Sequence, residues 1–122
     1  MGIVQVVVAG ALAVAAMVYG GEAAAHASLV AATPPAGGVA AAPQEVMLVF
    51  TERIDAAFST VEVRDSSGER VDAGNTHVDA GNPKCLRVSL PPLPRGAYRV
   101  LWKAVATDMH VKNGDFTFRI EP

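Results

Sequence analysis

The sequence predicts an all-β fold, an antiparallel β-sandwich of about seven short strands. Beyond residue 26, no apolar repeat of helical period is present. Short runs with apolar residues at alternate positions occur instead, and proline, glycine and other turn residues separate them. Residues 26–122 are enough for one hydrophobic core and too few for two. The chain is therefore expected to contain one domain of packed sheets.

The first half of this domain contains three predicted strands and a short fourth. Ser28–Ala32 ends at a Thr-Pro-Pro sequence. Glu45–Phe50 begins shortly after a proline and places apolar residues at every second position, on one face. Thr60–Asp65 alternates valines with charged residues. Because a Ser-Ser-Gly turn follows it, we expect Glu69–Val71 to return as a short strand.

The second half alternates between predicted loops and predicted strands. Ala73–Lys84 is rich in glycine and asparagine and predicts a loop. Leu86–Leu90 is the next strand, closed by prolines, and Ala97–Ala106 is the longest strand of the chain. Asp108–Gly114 predicts a second loop, and Phe116–Ile120 alternates as the last strand.

The alternation also predicts which side chains form the core. The predicted buried faces consist of Val46, Leu48, Phe50, Val61, Val63, Tyr98, Val100, Trp102, Phe116, Phe118 and Ile120. Cys85 is the sole cysteine, which excludes an internal disulfide. Its apolar neighbours favour a small buried residue at the start of a strand.

The first 25 residues predict a signal peptide. Ile3–Tyr19 is nearly all apolar, and Ala23-Ala24-Ala25 forms a small-residue cleavage site directly before His26. We therefore expect an extracytoplasmic, periplasmic protein whose mature chain is residues 26–122. The alternative is an uncleaved N-terminal anchor, but the apolar run is shorter than the ~20 residues of a spanning helix.

Acidic and basic residues are nearly balanced. The chain has 10 Lys and Arg and 12 Asp and Glu residues, a formal net charge of −2. Such a balance gives no basic surface of the kind that binds nucleic acid or an anionic membrane. We expect a monomer that does not bind nucleic acid.

Three residues predict a copper site. After cleavage, His26 would offer its α-amine and a ring nitrogen, which together can chelate one ion. Asp108 and His110 are two positions apart, and in an extended segment such residues project to the same side. Nitrogen and carboxylate donors suit Cu(II). Asp108 could alternatively orient an imidazole without binding the metal. His77, in the Gly- and Asn-rich loop, is predicted to be solvated.

Several motifs follow one another along the mature chain. They are His26-Ala27, Thr33-Pro34-Pro35-Ala36-Gly37, the run from Val46 to Glu52, the run from Leu90 to Trp102, Asp108-Met109-His110, and Gly114-Asp115-Phe116-Thr117-Phe118. In this order they resemble the CopC family of periplasmic copper-binding proteins, and the resemblance covers essentially all of the mature chain. It implies a cupredoxin-like or immunoglobulin-like Greek-key fold.

The resemblance also implies a function and its residues. The protein would be a non-enzymatic carrier or buffer in copper resistance or homeostasis, binding one Cu(II) per mature chain. Its Cu(II) ligands would be His26, Asp108 and His110. Glu52, at the end of the second strand, would support the amine end of the site. Besides the copper ion, the implied partner is a membrane copper transporter of the CopD type.

The methionines depart from the family's pattern. Met109 stands where the family usually has glycine, and its thioether could bind copper weakly or only cover the site. Met47 is the only other methionine of the mature chain. The sequence therefore predicts no cage of thioethers and no dedicated Cu(I) site.

Two other functions compete with the carrier. The first is a histidine-brace copper oxidase or monooxygenase, which the carboxylate ligand disfavours because it stabilises Cu(II) over Cu(I). The second is a sandwich module that docks on a membrane copper transporter and for which metal binding is secondary.

Overall fold

The computed structural model describes residues 28–122, which form a sandwich of two four-stranded sheets. In chain order the strands are β1 (Leu29–Thr33), β2 (Val39–Ala40), β3 (Glu45–Phe50), β4 (Thr60–Arg64), β5 (His77–Asp79), β6 (Asn82–Ser89), β7 (Gly96–Val105) and β8 (Val111–Ile120). One sheet has the order β1-β3-β6-β5 and the other β2-β8-β7-β4, and a 3-10 helix, Ala56–Phe58, lies between β3 and β4. The predicted all-β sandwich is confirmed. The predicted signal peptide, residues 1–25, and the proposed ligand His26 lie outside the described residues.

The core lies between the two sheets. Every side chain predicted to be buried is at most 7% exposed, except Phe116, which is partly buried against the same core. Trp102 of β7 packs edge-to-face against Phe50 of β3, with ring centroids 5.1 Å apart, and so joins the sheets. Tyr98 is buried and its hydroxyl donates to the Pro94 carbonyl at 2.6 Å. Cys85 is buried, as predicted, and burial raises the pKa of its thiol.

The predicted loop Ala73–Lys84 is wrong beyond residue 76. There β5 and the start of β6 form a hairpin in which Asp79 lies opposite Asn82. The Asp79 carboxylate accepts a hydrogen bond from the Gly81 amide at 3.0 Å, the local bonding by which aspartate forms tight turns. The glycine and asparagine residues that predicted a loop are thus the turn of a hairpin.

Three smaller differences concern pairing. The predicted loop Asp108–Gly114 is shorter, because β8 begins at Val111. The predicted strand Glu69–Val71 is reduced to a single bridge between Arg64 and Arg70. Strand β2 was not predicted, and it pairs in parallel with the end of β8, so the sandwich is not wholly antiparallel. Within residues 28–122, no helix is long and apolar enough to cross a membrane.

Backbone hydrogen bonds connect three distant segments at one end of the sandwich. The Thr51 amide, just after β3, donates to the Ser28 carbonyl at 2.9 Å, and the Ser28 amide donates to the Thr51 hydroxyl at 2.9 Å. Two residues further on, the Arg53 carbonyl accepts a bond from the Thr107 amide at 3.0 Å. The start of the described chain, the end of β3 and the β7–β8 loop are thereby held next to one another.

Candidate metal centre

The β7–β8 connection comprises residues 106–110, and its turn is a three-residue hairpin loop, Thr107 to Met109. The Ala106 amide donates to the His110 carbonyl at 2.9 Å, and the Met109 amide donates to the Ala106 carbonyl at 2.8 Å. Met109 has a φ of +74°, in the left-handed region that the last residue of such a loop commonly adopts and that favours glycine. The loop is therefore fixed at both ends by backbone hydrogen bonds.

Asp108 and His110 contact each other across this loop. One carboxylate oxygen of Asp108 accepts the His110 backbone amide at 3.2 Å, and the other lies 3.1 Å from the His110 ring nitrogen Nδ1. Both side chains are about half exposed, at 48% and 55%. The sequence placed the two side chains together through alternation in an extended segment, whereas in the structure the turn itself brings them together.

The contact has electrostatic consequences for both groups. The hydrogen bond from the His110 amide, followed by the interaction with the His110 ring, lowers the pKa of the Asp108 carboxyl below its ordinary value. A carboxylate that accepts from Nδ1–H places the imidazole lone pair on Nε2, the arrangement in which many metal-binding histidines are held. The pair thus combines an ionised carboxylate with an oriented imidazole.

Glu52 lies in the segment after β3, between the residue that bonds to Ser28 and the residue that bonds to the β7–β8 loop. It follows β3 and is partly buried. Its neighbour Thr51 bonds to Ser28, and its other neighbour Arg53 bonds to the Asp108 loop through Thr107. Sequence reasoning did not identify Thr51 and Arg53, because they act here largely through backbone atoms, for which residue identity carries no signal.

The described residues do not form a complete metal site. Between Ser28 and Pro122, no group of three or more His, Cys, Asp and Glu side chains is arranged to hold a metal ion. A metal ion bound at the Asp108–His110 pair would need further donors from outside the described residues. His26 precedes Ser28 by two positions in the sequence, and two residues span at most about 7 Å.

His77 stands apart from this site. It is exposed, as predicted, but it lies on strand β5 rather than in a loop, and its Nδ1 is 2.7 Å from the Asn75 carbonyl. The nearby Asp79 carboxylate is bound by the Arg87 guanidinium at 2.7 Å. The guanidinium and the Gly81 amide both bond to this carboxylate, which gives Asp79 a structural role in the sheet.

A comparison with protein families identifies one match. Residues 29–121 match the model of the CopC domain. The chain is 32% identical over 113 residues to copper resistance protein C of Pseudomonas syringae pv. tomato, covering 88% of this chain and 90% of that protein. It is 34% identical over 98 residues to the copper transport protein CutJ of Bacillus subtilis, covering 79% of this chain but only 18% of that protein.

The fold is also similar to a solved structure. The crystal structure of CopC from Methylosinus trichosporium OB3b superposes with a TM-score of 0.74 at 32% sequence identity. The match covers 80% of this chain and 95% of that one. Similarity in sequence and in fold therefore extends over nearly all of the described residues.

Proposed function

Because this chain belongs to the CopC family, whose members are non-enzymatic copper-binding resistance proteins, we propose that it is an extracytoplasmic carrier or buffer of Cu(II). The contact between Asp108 and His110 carries the proposal, since it joins a carboxylate and an oriented imidazole in one exposed loop. These are donor types that Cu(II) prefers. The histidine-brace oxidase considered from the sequence is set aside, because the family is not enzymatic.

The proposed site binds one Cu(II) per processed chain. His26 would contribute its α-amine and a ring nitrogen. His110 would contribute the second imidazole of the site. Cleavage after Ala25 is required, because in the uncleaved chain the His26 nitrogen is an amide and cannot act as an amine donor. The bonds between Ser28 and Thr51 support this arrangement, since they hold the start of β1 beside the segment that contacts the Asp108 loop.

The two acidic residues have separate proposed roles. Asp108 acts as the carboxylate ligand, and in the metal-free protein its two oxygens also hold the His110 amide and ring. A carboxylate oxygen bonded to Nδ1–H lies on the far side of the ring from a metal on Nε2, so copper binding requires Asp108 to exchange its contact with the His110 ring for the metal. Glu52 would accept from the His26 amine and fix that donor, a role that its place between Thr51 and Arg53 supports.

Copper titration of the processed protein tests the proposal. The intact mass should correspond to a chain beginning at His26, and Cu(II) titration followed by electron paramagnetic resonance should show one nitrogen-coordinated copper. Loss of a partner of a metal ligand costs 10–100-fold in affinity, so loss of a ligand in His110→Ala should cost about 100-fold or more. His26→Ala should also weaken binding strongly.

The exposed His77 provides a matched control. It is an imidazole on β5, in the other sheet from β7 and β8, and His77→Ala should leave the Cu(II) affinity unchanged. A processed protein that takes up no Cu(II) would contradict the proposal. Equal affinities in His110→Ala and His77→Ala would also contradict it.

The relation to CutJ supports a partner as well as a cargo. The matched segment makes up 18% of that copper transport protein, so a domain of this kind occurs there within a much larger chain. We infer that this protein passes copper to or from a separate membrane copper transporter. Pull-down of such a transporter should depend on the copper content of the bait, and capture by His110→Ala at the wild-type level would contradict this.

A further inference from the structure

We propose that Met109 provides a thioether ligand for Cu(I), with the His110 imidazole as its partner, so that the β7–β8 loop can hold copper in both oxidation states. This inference rests on the proposed function, because it assumes that copper binds at this loop. It differs from a cage of several thioethers, since one sulfur and one imidazole on adjacent residues carry it.

The backbone conformation of Met109 is the first observation. Its φ of +74° lies where a side chain crowds the following carbonyl, at a cost of roughly 1–2 kcal/mol that glycine avoids. The three-residue loop needs this conformation, because the Met109 amide closes the turn on Ala106. Methionine is therefore an unfavourable choice for this position on local grounds, and conformations of this kind concentrate at functional sites.

The exposure of Met109 is the second observation. The residue is 65% exposed, the highest value among the large exposed hydrophobic residues of the described part of the chain. Packing in the core therefore does not offset the backbone cost. An exposed methionine between two copper-ligand candidates has one property that glycine lacks, a soft sulfur on a flexible side chain.

The other sulfur atoms of residues 28–122 are not placed to bind copper at the β7–β8 loop. Cys85 is buried in β6, and burial raises the pKa of its thiol, which disfavours the thiolate that binds metal. Met47 is partly buried on β3 and lies opposite Thr33 and Arg87 in the sheet. Met109 alone among them stands next to Asp108 and His110.

The chemistry of copper gives this sulfur a defined role. Amine and carboxylate donors favour Cu(II), whereas thioethers favour Cu(I), and imidazole suits copper generally. Reduction of bound copper by an external one-electron donor would weaken the contribution of the amine and the carboxylate. A thioether beside His110 would then keep Cu(I) at the loop instead of releasing it.

Competition with a chromophoric Cu(I) chelator, bicinchoninate, under anaerobic conditions with ascorbate tests the proposal on the processed protein. Met109→Leu keeps the size and the backbone strain but removes the sulfur, and we expect at least a tenfold loss of Cu(I) affinity with Cu(II) affinity changed less than threefold. If the Cu(II) affinity is unchanged, a tenfold loss corresponds to a copper potential lower by 59 mV. Met47→Leu, the matched control, should change neither affinity.

X-ray absorption of the Cu(I) form provides a direct measurement. The wild-type protein should show a sulfur scatterer that is absent from Met109→Leu and present in Met47→Leu. A wild-type Cu(I) spectrum without sulfur, or equal Cu(I) affinities in wild type and Met109→Leu, would overturn this inference while leaving Cu(II) binding intact. Failure of the proposed function is read separately, as absence of Cu(II) uptake by the wild-type protein.

Discussion

At the scale of single residues, two positions of the β7–β8 hairpin favour glycine for different reasons. One has a left-handed backbone conformation but is occupied by methionine, and the other is packed so closely that only glycine fits. Met109 occupies the left-handed position of the loop, where glycine is the residue of lowest cost. Gly114 lies opposite Trp102 in the β7–β8 pairing, and a Cβ atom there would lie 2.5 Å from the Trp102 ring. Replacing Met109 by glycine should therefore raise the stability, whereas adding a side chain at Gly114 should lower it.

Met109→Gly should stabilise the metal-free protein. Removing the side chain relieves roughly 1–2 kcal/mol of backbone crowding in the folded state. Glycine also gives the unfolded chain more conformational freedom, which offsets about 0.5–1 kcal/mol of this stabilisation. The free energy of unfolding in urea should therefore rise by about 0.5–1 kcal/mol, since little buried contact is lost at a residue that is 65% exposed. Met109→Leu keeps the crowding and should change it little. A lower stability for Met109→Gly would show that the loop does not strain the side chain.

Gly114→Ala should destabilise the protein. The added methyl group would overlap the Trp102 ring, which is buried and packs against Phe50, so the ring or the strand must shift. Overpacking of this kind costs typically 1–3 kcal/mol, and we expect that loss in urea unfolding together with altered fluorescence of the single tryptophan. Gly81→Ala is the control, because a Cβ at that turn meets only the Asp79 carboxylate at 3.5 Å. Equal stability of both variants would contradict the close packing at Gly114.

At the scale of elements, β4 lies at the edge of its sheet, and the segment that follows it closes this edge. The Asp72 carboxylate, whose side chain is fully buried, accepts the Val63 amide at 2.8 Å and the Gly74 amide at 2.8 Å. The Thr76 hydroxyl accepts the Val61 amide at 3.1 Å. Side chains thus take up backbone donors that would otherwise be available to pair with another strand.

This closure makes stability depend on pH through Asp72. Burial alone would raise the pKa of the Asp72 carboxyl, but the hydrogen bonds from Arg70, Val63 and Gly74 outweigh it and hold that pKa below its ordinary value. A carboxyl whose pKa is lower in the folded state contributes stability above its unfolded pKa of about 3.9. That contribution is lost as the pH falls through the folded value.

Asp72→Asn should therefore lower the free energy of unfolding at pH 7 by about 1.5–3 kcal/mol, the range for hydrogen bonds to a charged group. The difference between wild type and variant should shrink as the pH falls from about 5, through the unfolded pKa of about 3.9, to the lower folded pKa. Urea unfolding across this range measures both quantities. Asp115→Asn, at an ion pair with Arg99 on an exposed face, should cost under about 1 kcal/mol. A wild-type-to-variant difference that does not change with pH would contradict the role of the Asp72 charge.

The strands show which elements the sequence could predict and which it could not. Glu45–Phe50 is predicted residue for residue, because it is a short, nearly continuous apolar run that follows a proline. Strands β2 and β5 were missed, since Val39–Ala40 and His77–Asp79 are too short to show a period. They form because a longer neighbour, β8 or β6, supplies the pairing. Pairing partners of this kind are set by tertiary structure, which local pattern does not encode.

At the scale of the whole molecule, the candidate site is assembled from parts of the chain far apart in sequence. The residue types of Asp108 and His110 predicted a metal site from the sequence, but their contact depends on a turn that the sequence did not reveal. Likewise, the bonds of Thr51 to Ser28 and of Arg53 to Thr107 could not be predicted, because they join atoms, most of them in the backbone, that are more than 20 residues apart. At the proposed site, copper would link the processed N-terminus, β3 and the β7–β8 hairpin, so its binding should stabilise the fold as a whole.

This linkage predicts that Cu(II) raises the free energy of unfolding of the processed protein in a pH-dependent way. Free Cu(II) at 100 times the dissociation constant should add at most about 2.7 kcal/mol, because the unfolded chain retains the His26 chelate but does not bring the hairpin donors to it. The proposed α-amine ligand must lose a proton whose ordinary pKa is about 7.7–8.0, so the affinity falls as the pH is lowered. Urea unfolding at one fixed copper concentration should therefore show a larger increase in the free energy of unfolding at pH 8 than at pH 6.

His110→Ala and the uncleaved chain should show a much smaller shift in this free energy, whereas His77→Ala should match the wild type. An equal shift at both pH values would indicate that no amine is among the ligands, and an equal shift in His110→Ala would indicate that copper binds away from the hairpin.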